Sequence, residues 1–157
     1  MNVLSKDQAI EFRKISRSQG RKVVFTNGCF DILHRGHIDY LFEASKLGDV
    51  LIVGINTDES VRRIKDTGRP IVSEEDRAFI IAALRFVDAV CLFEEDTPLE
   101  LIRSLMPDVL VKGSDYEIDD IVGSKEVLNN GGDVKTITLV SGRSTTNIIN
   151  RIKGLPD

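Results

Sequence analysis

Apolar residues come in two rhythms along this chain. Short apolar stretches at residues 22–25, 88–93 and 109–111 read as strands, 50–55 is continuous as in a strand covered on both faces, and 134–140 reads as a last strand. Between them apolar positions recur every three or four residues, the period of a helix that buries one side. A helix is predicted over 5–19, capped by Ser5, with Ala9, Ile10, Phe12 and Ile15 on its apolar face and Gly20 as its stop. A second runs over 36–47, with Ile38, Leu41, Phe42 and Leu47 in phase, and ends at Gly48-Asp49. Thr57 or Asp58 caps a helix over 59–65, and Ser73 caps one that runs through Leu84. Thr97-Pro98-Leu99-Glu100 reads as a capping box with proline at the first helical position, in a helix that ends at Met106-Pro107. Helices over 123–128 and 145–153 complete the series.

Strand and helix thus alternate about five times. That pattern predicts an α/β fold: a doubly wound parallel sheet of about five strands, with helices on both faces and right-handed crossovers. Ligands in such sheets lie beyond the carboxyl ends of the strands, where strand order reverses. Segments 26–37, 56–58, 112–116 and 142–146 all follow predicted strands, so they are expected to meet at one edge.

Composition narrows the partners. With 157 residues, 41% hydrophobic and 29% charged, the chain is long enough for one domain with a real core. A net charge of -4 argues against nucleic acid, whose binding needs a concentrated basic face. The local cluster Arg62, Arg63 and Lys65 suits a small anion better. No apolar run approaches the roughly 20 residues that span a bilayer, and no signal pattern opens the sequence, so no membrane partner and a cytoplasmic location are expected. Cys29 and Cys91 lack metal-ligand spacing, and Cys29 reads as a small filler in a turn.

The chemistry concentrates in residues 26–37, Thr-Asn-Gly-Cys-Phe-Asp-Ile-Leu-His-Arg-Gly-His, which join a strand to a helix. A helix N-terminus offers unpaired N–H groups and the positive end of its dipole, so a phosphate there meets donors already aimed at it. Gly28 allows close backbone approach, Gly36 keeps the helix entry open, and His34 and His37 add side-chain donors. Asn27, Cys29 and Phe30 complete the turn. A helix cap plus a packed histidine is the plainer reading of His34 and His37, but each residue of the pattern has a placed role in a polyphosphate cradle.

Residues 141–147, Ser-Gly-Arg-Ser-Thr-Thr-Asn, repeat that physics at the start of the last helix. Arg143 can chelate phosphate oxygens, and Ser144, Thr145 and Thr146 offer more hydroxyls than a cap requires. Lys46 is either a solvated charge at a helix C-terminus or a phosphate ligand. Arg77 pairs with an acid or holds a loop near the site. Lys112-Gly113-Ser114-Asp115-Tyr116 is either a charged turn or a contact surface.

The first pattern resembles the signature of the nucleotidyltransferase superfamily marked by His-x-Gly-His, and the second resembles that superfamily's Arg then Ser-Thr-Thr. With Lys112-Gly113-Ser114-Asp115-Tyr116 and Gly123-Ser124-Lys125-Glu126-Val127, the chain is most similar, over about residues 22–153, to the adenylyltransferase domain of the ADP-heptose pathway. The resemblance implies a Rossmann-like fold, with residues 1–21 as a lead-in helix and 22–157 as the nucleotidyltransferase domain. It implies transfer of AMP from ATP to a heptose 1-phosphate with release of pyrophosphate. His34, His37 and Lys46 would be catalytic. The phosphates would lie on Asn27, Gly28, Cys29, Phe30, Gly36, Arg143, Ser144, Thr145 and Thr146. Asp31, Asn56, Asp58, Arg63, Lys112, Gly113, Asp115 and Tyr116 are expected substrate or base contacts. Mg2+ would travel with ATP without a direct protein ligand, with Asp31 as a candidate outer ligand. A homodimer is common among such relatives, and many carry a sugar kinase fused ahead of this domain, which here would be a separate chain or a removed part. Gly113-Ser114 replaces the usual pair of glycines, which bears on substrate choice. The competing expectations are cytidylyl transfer to glycerol 3-phosphate or a similar alcohol phosphate, and a nucleotide-binding module without catalysis.

Overall fold

The computed structural model describes residues 2–65, 67–115, 117–139 and 142–154. Strands β1 (Val3–Leu4), β2 (Val23–Gly28), β3 (Val50–Asn56), β4 (Ala89–Phe93), β5 (Val109–Gly113) and β6 (Asp133–Ile137) form one sheet in the order β1-β4-β3-β2-β5-β6. Every pairing is parallel. The helices are α1 (Lys6–Ser18), α2 (Arg35–Ser45), α3 (Asp58–Ile64), α4 (Glu74–Ala82), α5 (Leu99–Leu105), α6 (Ser124–Asn129) and α7 (Thr145–Lys153), with a 3-10 turn at Ile118–Asp120.

Parallel strands must be covered on both faces, and the core accordingly divides in two. One cluster joins Ala9, Phe25, Ile52, Leu101, Ile102 and Leu110; the other joins Val24, Leu41, Val53, Ile55, Ile81 and Val111. Each residue of β3 is buried, which is why residues 50–55 are a continuous apolar run; the buried Asn56 at its end donates to Oγ of Ser60.

The sheet has six strands where about five were expected. The sixth, β1, is two residues long and pairs with β4 at the sheet edge, too short to leave a periodic signal. Residues 3–18 are built into the sheet: α1 buries Ala9, and Ser5 and Gln8 form a reciprocal capping box at its start. The capping box expected at Thr97 is absent. Helix α5 begins at Leu99 with no side-chain cap, and Glu100 pairs instead with Arg103. Met106 ends that helix in the left-handed conformation, with φ of 44°. The last strand stops at Ile137, and residue 140, where it was expected to end, lies outside the described residues.

This order fixes where a ligand can sit. β2 is the strand from which the chain leaves in one direction to β3 and β4, and to whose other side it returns with β5 and β6. Its carboxyl end is the switch point, and the turn that follows it is residues 29–34.

Candidate active site

A cavity of about 480 Å³ opens over the carboxyl end of β2. Its centre is the turn itself: Asn27, Gly28, Cys29 and Phe30, then His34, Gly36 and His37 where α2 begins. The last helix reaches the same place, for Arg143, Ser144 and Thr145 line it too. A Cβ built on Gly36 would lie 3.0 Å from Cε1 of His34 and 3.2 Å from Cβ of Arg143, so the two phosphate-cradle stretches are in contact. Thr145 Oγ1 also donates to the carbonyl of Ile32 at 3.5 Å. Two helix N-termini, α2 and α7, therefore bound one space.

The imidazoles of His34 and His37 stack with ring centroids 3.8 Å apart and planes 20° from parallel. Phe30 meets His37 edge-on, with centroids 5.3 Å apart. His34 is the N-cap of α2 but makes no side-chain cap hydrogen bond. The Nδ1 atoms of both histidines are buried and lack a hydrogen-bond partner among the described residues. Burial, and then the neighbouring His34, push the His37 pKa down to about 4. Burial and the Arg143 charge lower that of His34. Both shifts favour the neutral imidazole, which still donates one N–H.

Either side of the central turn the lining differs. Over β5 and β6 it includes Gly113, Asp115, Asp120, Ile121, Val122 and Leu139; over β3 and β4 it includes Asn56, Ile64, Lys65, Asp96, Thr97 and Pro98. Lys112 stands at the centre, its Nζ donating to Oδ1 of Asn27 at 2.5 Å and to the Asn27 carbonyl at 3.3 Å. Burial holds its pKa down at about 8. Cys29 is a thiol at neutral pH, because burial pushes its pKa up against the pull of Lys65, Arg77 and Arg69.

The expected residues Asn27, Gly28, Cys29, Phe30, His34, Gly36, His37, Asn56, Lys112, Gly113, Asp115, Arg143, Ser144 and Thr145 all line this cavity. Five others do not. Lys46 caps the opposite end of α2, roughly 16 Å along the helix at about 1.5 Å per residue, where its Nζ pairs with Glu43 at 2.6 Å and lies over the Phe42 ring. Asp31 is buried and fully committed: Oδ1 accepts from the N–H groups of Ile71 and Val72 at 2.8 and 2.9 Å, and Oδ2 pairs with Arg69. Asp58 Oδ1 accepts from Arg77 at 2.7 Å, and Arg63 holds Oδ1 of Asp96 and the carbonyl of Glu94. Thr146 is exposed on α7. Tyr116 lies outside the described residues.

Sequence reasoning passed over the segment after β4, which supplies Asp96, Thr97 and Pro98. The rule that ligands gather at strand carboxyl ends applies to that segment as to the others, and it was the usable signal. Lys65, one of the basic cluster with Arg62 and Arg63, also lines the cavity.

The cytidylyltransferase-like family matches residues 25–151. The chain belongs to this family of nucleotidyltransferases. It is 56% identical over 139 residues to the bifunctional protein HldE of Syntrophotalea carbinolica, covering 88% of this chain and 28% of that protein. It is 53% identical over 152 residues to the bifunctional protein HldE of Vibrio cholerae serotype O1, covering 97% and 32%. The chain thus spans about a third of the length of these relatives. Among solved structures, the lipopolysaccharide core biosynthesis protein of Thermoplasma volcanium GSS1 superposes with a TM-score of 0.64 at 33% identity, over 77% of this chain and 98% of that one. Both signature stretches fall inside the family match. Among the described residues no helix is long and apolar enough to cross a membrane.

Proposed function

We propose that the chain transfers AMP from ATP to a sugar 1-phosphate, a heptose 1-phosphate in particular, releasing pyrophosphate. The observation that carries this reading is the contact of the two cradles, His34-Gly36-His37 on one helix and Arg143-Ser144-Thr145 on another, around one cavity. One helix N-terminus binds one phosphate group; two that converge with an arginine suit a chain of phosphates. The bifunctional relatives and the lipopolysaccharide core protein support the sugar-nucleotide branch over cytidylyl transfer.

In the reaction a phosphate oxygen of the sugar 1-phosphate attacks the α-phosphorus of ATP in line. A new P–O bond forms, the bridging α–β P–O bond breaks, and its electron pair leaves with pyrophosphate. The nucleophile is already anionic, so no base or covalent enzyme intermediate is needed, and positioning and charge stabilisation supply the acceleration. His34 and His37 donate to the reacting phosphate, while Arg143, Ser144 and Thr145 hold the leaving pyrophosphate. The apolar side of the cavity, Ile121, Val122 and Leu139, suits the nucleobase; the polar side, Asn56, Asp96 and Thr97 with Lys65, suits the sugar phosphate.

Magnesium neutralises triphosphate charge. An ion carried on the nucleotide would have Asp96, Asp115 and Asp120 as the cavity carboxylates nearest its waters. The remaining length of the bifunctional relatives leaves room for a second activity. On the sequence resemblance we assign that to a sugar kinase supplying the acceptor, in the cytoplasm where ATP is available.

The test is pyrophosphate release across nucleoside triphosphates and sugar 1-phosphates. Release with ATP and a heptose 1-phosphate, and at least tenfold less with CTP and glycerol 3-phosphate, is expected. The reverse preference, or ATP binding without release, overturns the reading.

A further inference from the structure

Phe30 is a left-handed residue in the middle of the signature turn, with φ of 48°, a conformation that costs any side chain with a Cβ. Something must hold it there. The residue before it is clamped through its carbonyl: Arg77 Nη1 donates to the oxygen of Cys29 at 2.5 Å. The residue after it is clamped through its carboxylate, by the N–H groups of Ile71 and Val72 and by Arg69.

The two clamps belong to one unit. Arg77 is 1% exposed, and its other nitrogens donate to the carbonyl of Val72 at 3.0 Å and to Oδ1 of Asp58 at 2.7 Å. A single buried guanidinium thus ties together the signature turn, the start of α3, and the 69–72 strap that also grips Asp31. The Phe30 ring is 6% exposed and lies under Gly28, where an added Cβ would meet it at 3.0 Å. Its edge rests on His37, which stacks on His34.

We propose that Arg77 and Asp31 are positioning residues: together they hold Phe30 in its left-handed conformation, and Phe30 sets the ring plane of His37 against His34. Neither residue is among those that line the cavity. Their influence on turnover rests on the reaction proposed above, whereas their influence on the His37 ring does not. Lysine at position 77 keeps the charge but offers one nitrogen to acceptors that lie on three sides. Asparagine at position 31 keeps the shape and loses the charge.

The full chain is studied as Arg77→Lys and as Asp31→Asn, each alone and with Phe30→Gly, since glycine adopts the left-handed conformation without a clamp. Two readouts are taken: the Cε1–H resonance of His37 without substrate, and kcat and KM for ATP by pyrophosphate release. The expected result is a displaced or broadened His37 resonance and a kcat at least tenfold lower, with KM within threefold and a cooperative melt retained. In the Phe30→Gly background either substitution lowers kcat by less than a further threefold. Asp31→Asn carries the test should Arg77→Lys not fold. An unmoved His37 resonance, or equal losses of kcat in both backgrounds, overturns the proposal. If the parent protein releases no pyrophosphate from any substrate pair, the functional reading fails while the resonance still decides the positioning role.

Discussion

Gly36→Ala isolates the contact between the two cradles. Gly36 is the second residue of α2, and alanine there gains about 0.5–1 kcal/mol of helix propensity. The new methyl would lie 3.0 Å from Cε1 and 3.1 Å from Nδ1 of His34, and 3.2 Å from Cβ of Arg143. Ordinary contact begins at 3.4 Å, so the imidazole must move by 0.4 Å (3.4 − 3.0) and Arg143, just before α7, by 0.2 Å (3.4 − 3.2). A misplacement of about 1 Å in an active site costs on the order of a hundredfold in rate, so a few tenths at two groups at once should cost about tenfold, or about 1.4 kcal/mol of barrier. Thermal melting and pyrophosphate release are measured together. The expected outcome is a melting temperature equal to or above that of the parent, with kcat/KM down about tenfold. Full activity would show that the two stretches do not act on one ligand, and a loss matched by unfolding would show that Gly36 serves the fold alone.

Three further outcomes follow from the charges. His37 binds its proton at about 4 when folded against an ordinary value of 6.5, so the unfolded chain takes up a proton first as pH falls. Its contribution to stability is present above pH 6.5 and is lost between 6.5 and about 4; at about 1.4 kcal/mol per tenfold in proton affinity this is about 3 kcal/mol, and denaturant midpoints should show a flatter acid limb in His37→Gln. Lys112 is half neutral near pH 8, and a bound triphosphate favours its charged form, so ATP binding at pH 8.5 should take up protons; calorimetry in buffers of different ionisation enthalpy measures this, and Lys112→Met should abolish it. Lys46→Ala should leave kcat/KM within about twofold, as an exposed pair is worth under about 1 kcal/mol, while Lys65→Ala, inside the cavity, should lower it by tenfold or more.

What the sequence disclosed followed from local rules. Apolar runs named β2 to β5, Ser5, Thr57 and Ser73 announced their helices, and the two cradles were visible because glycine, histidine and arginine have few other reasons to share a helix start. What it concealed depends on distance in space. Asp31 and Arg69 are 38 residues apart, and Arg77 and Cys29 are 48 apart, so nothing local told a clamp from a substrate contact. Lys46 misled for the same reason: its place near the site in the sequence is one helix length away in space. Thr97 had the pattern of a cap, yet it lines the cavity.

The central claim is that one triphosphate is embraced by both helix starts. A crystal structure with a non-hydrolysable ATP analogue tests it most directly. Phosphate oxygens are expected within hydrogen-bond distance of His34 or His37 and, in the same molecule, of Arg143. An analogue bound to one stretch with the other empty, or bound outside the cavity over β2, would contradict it.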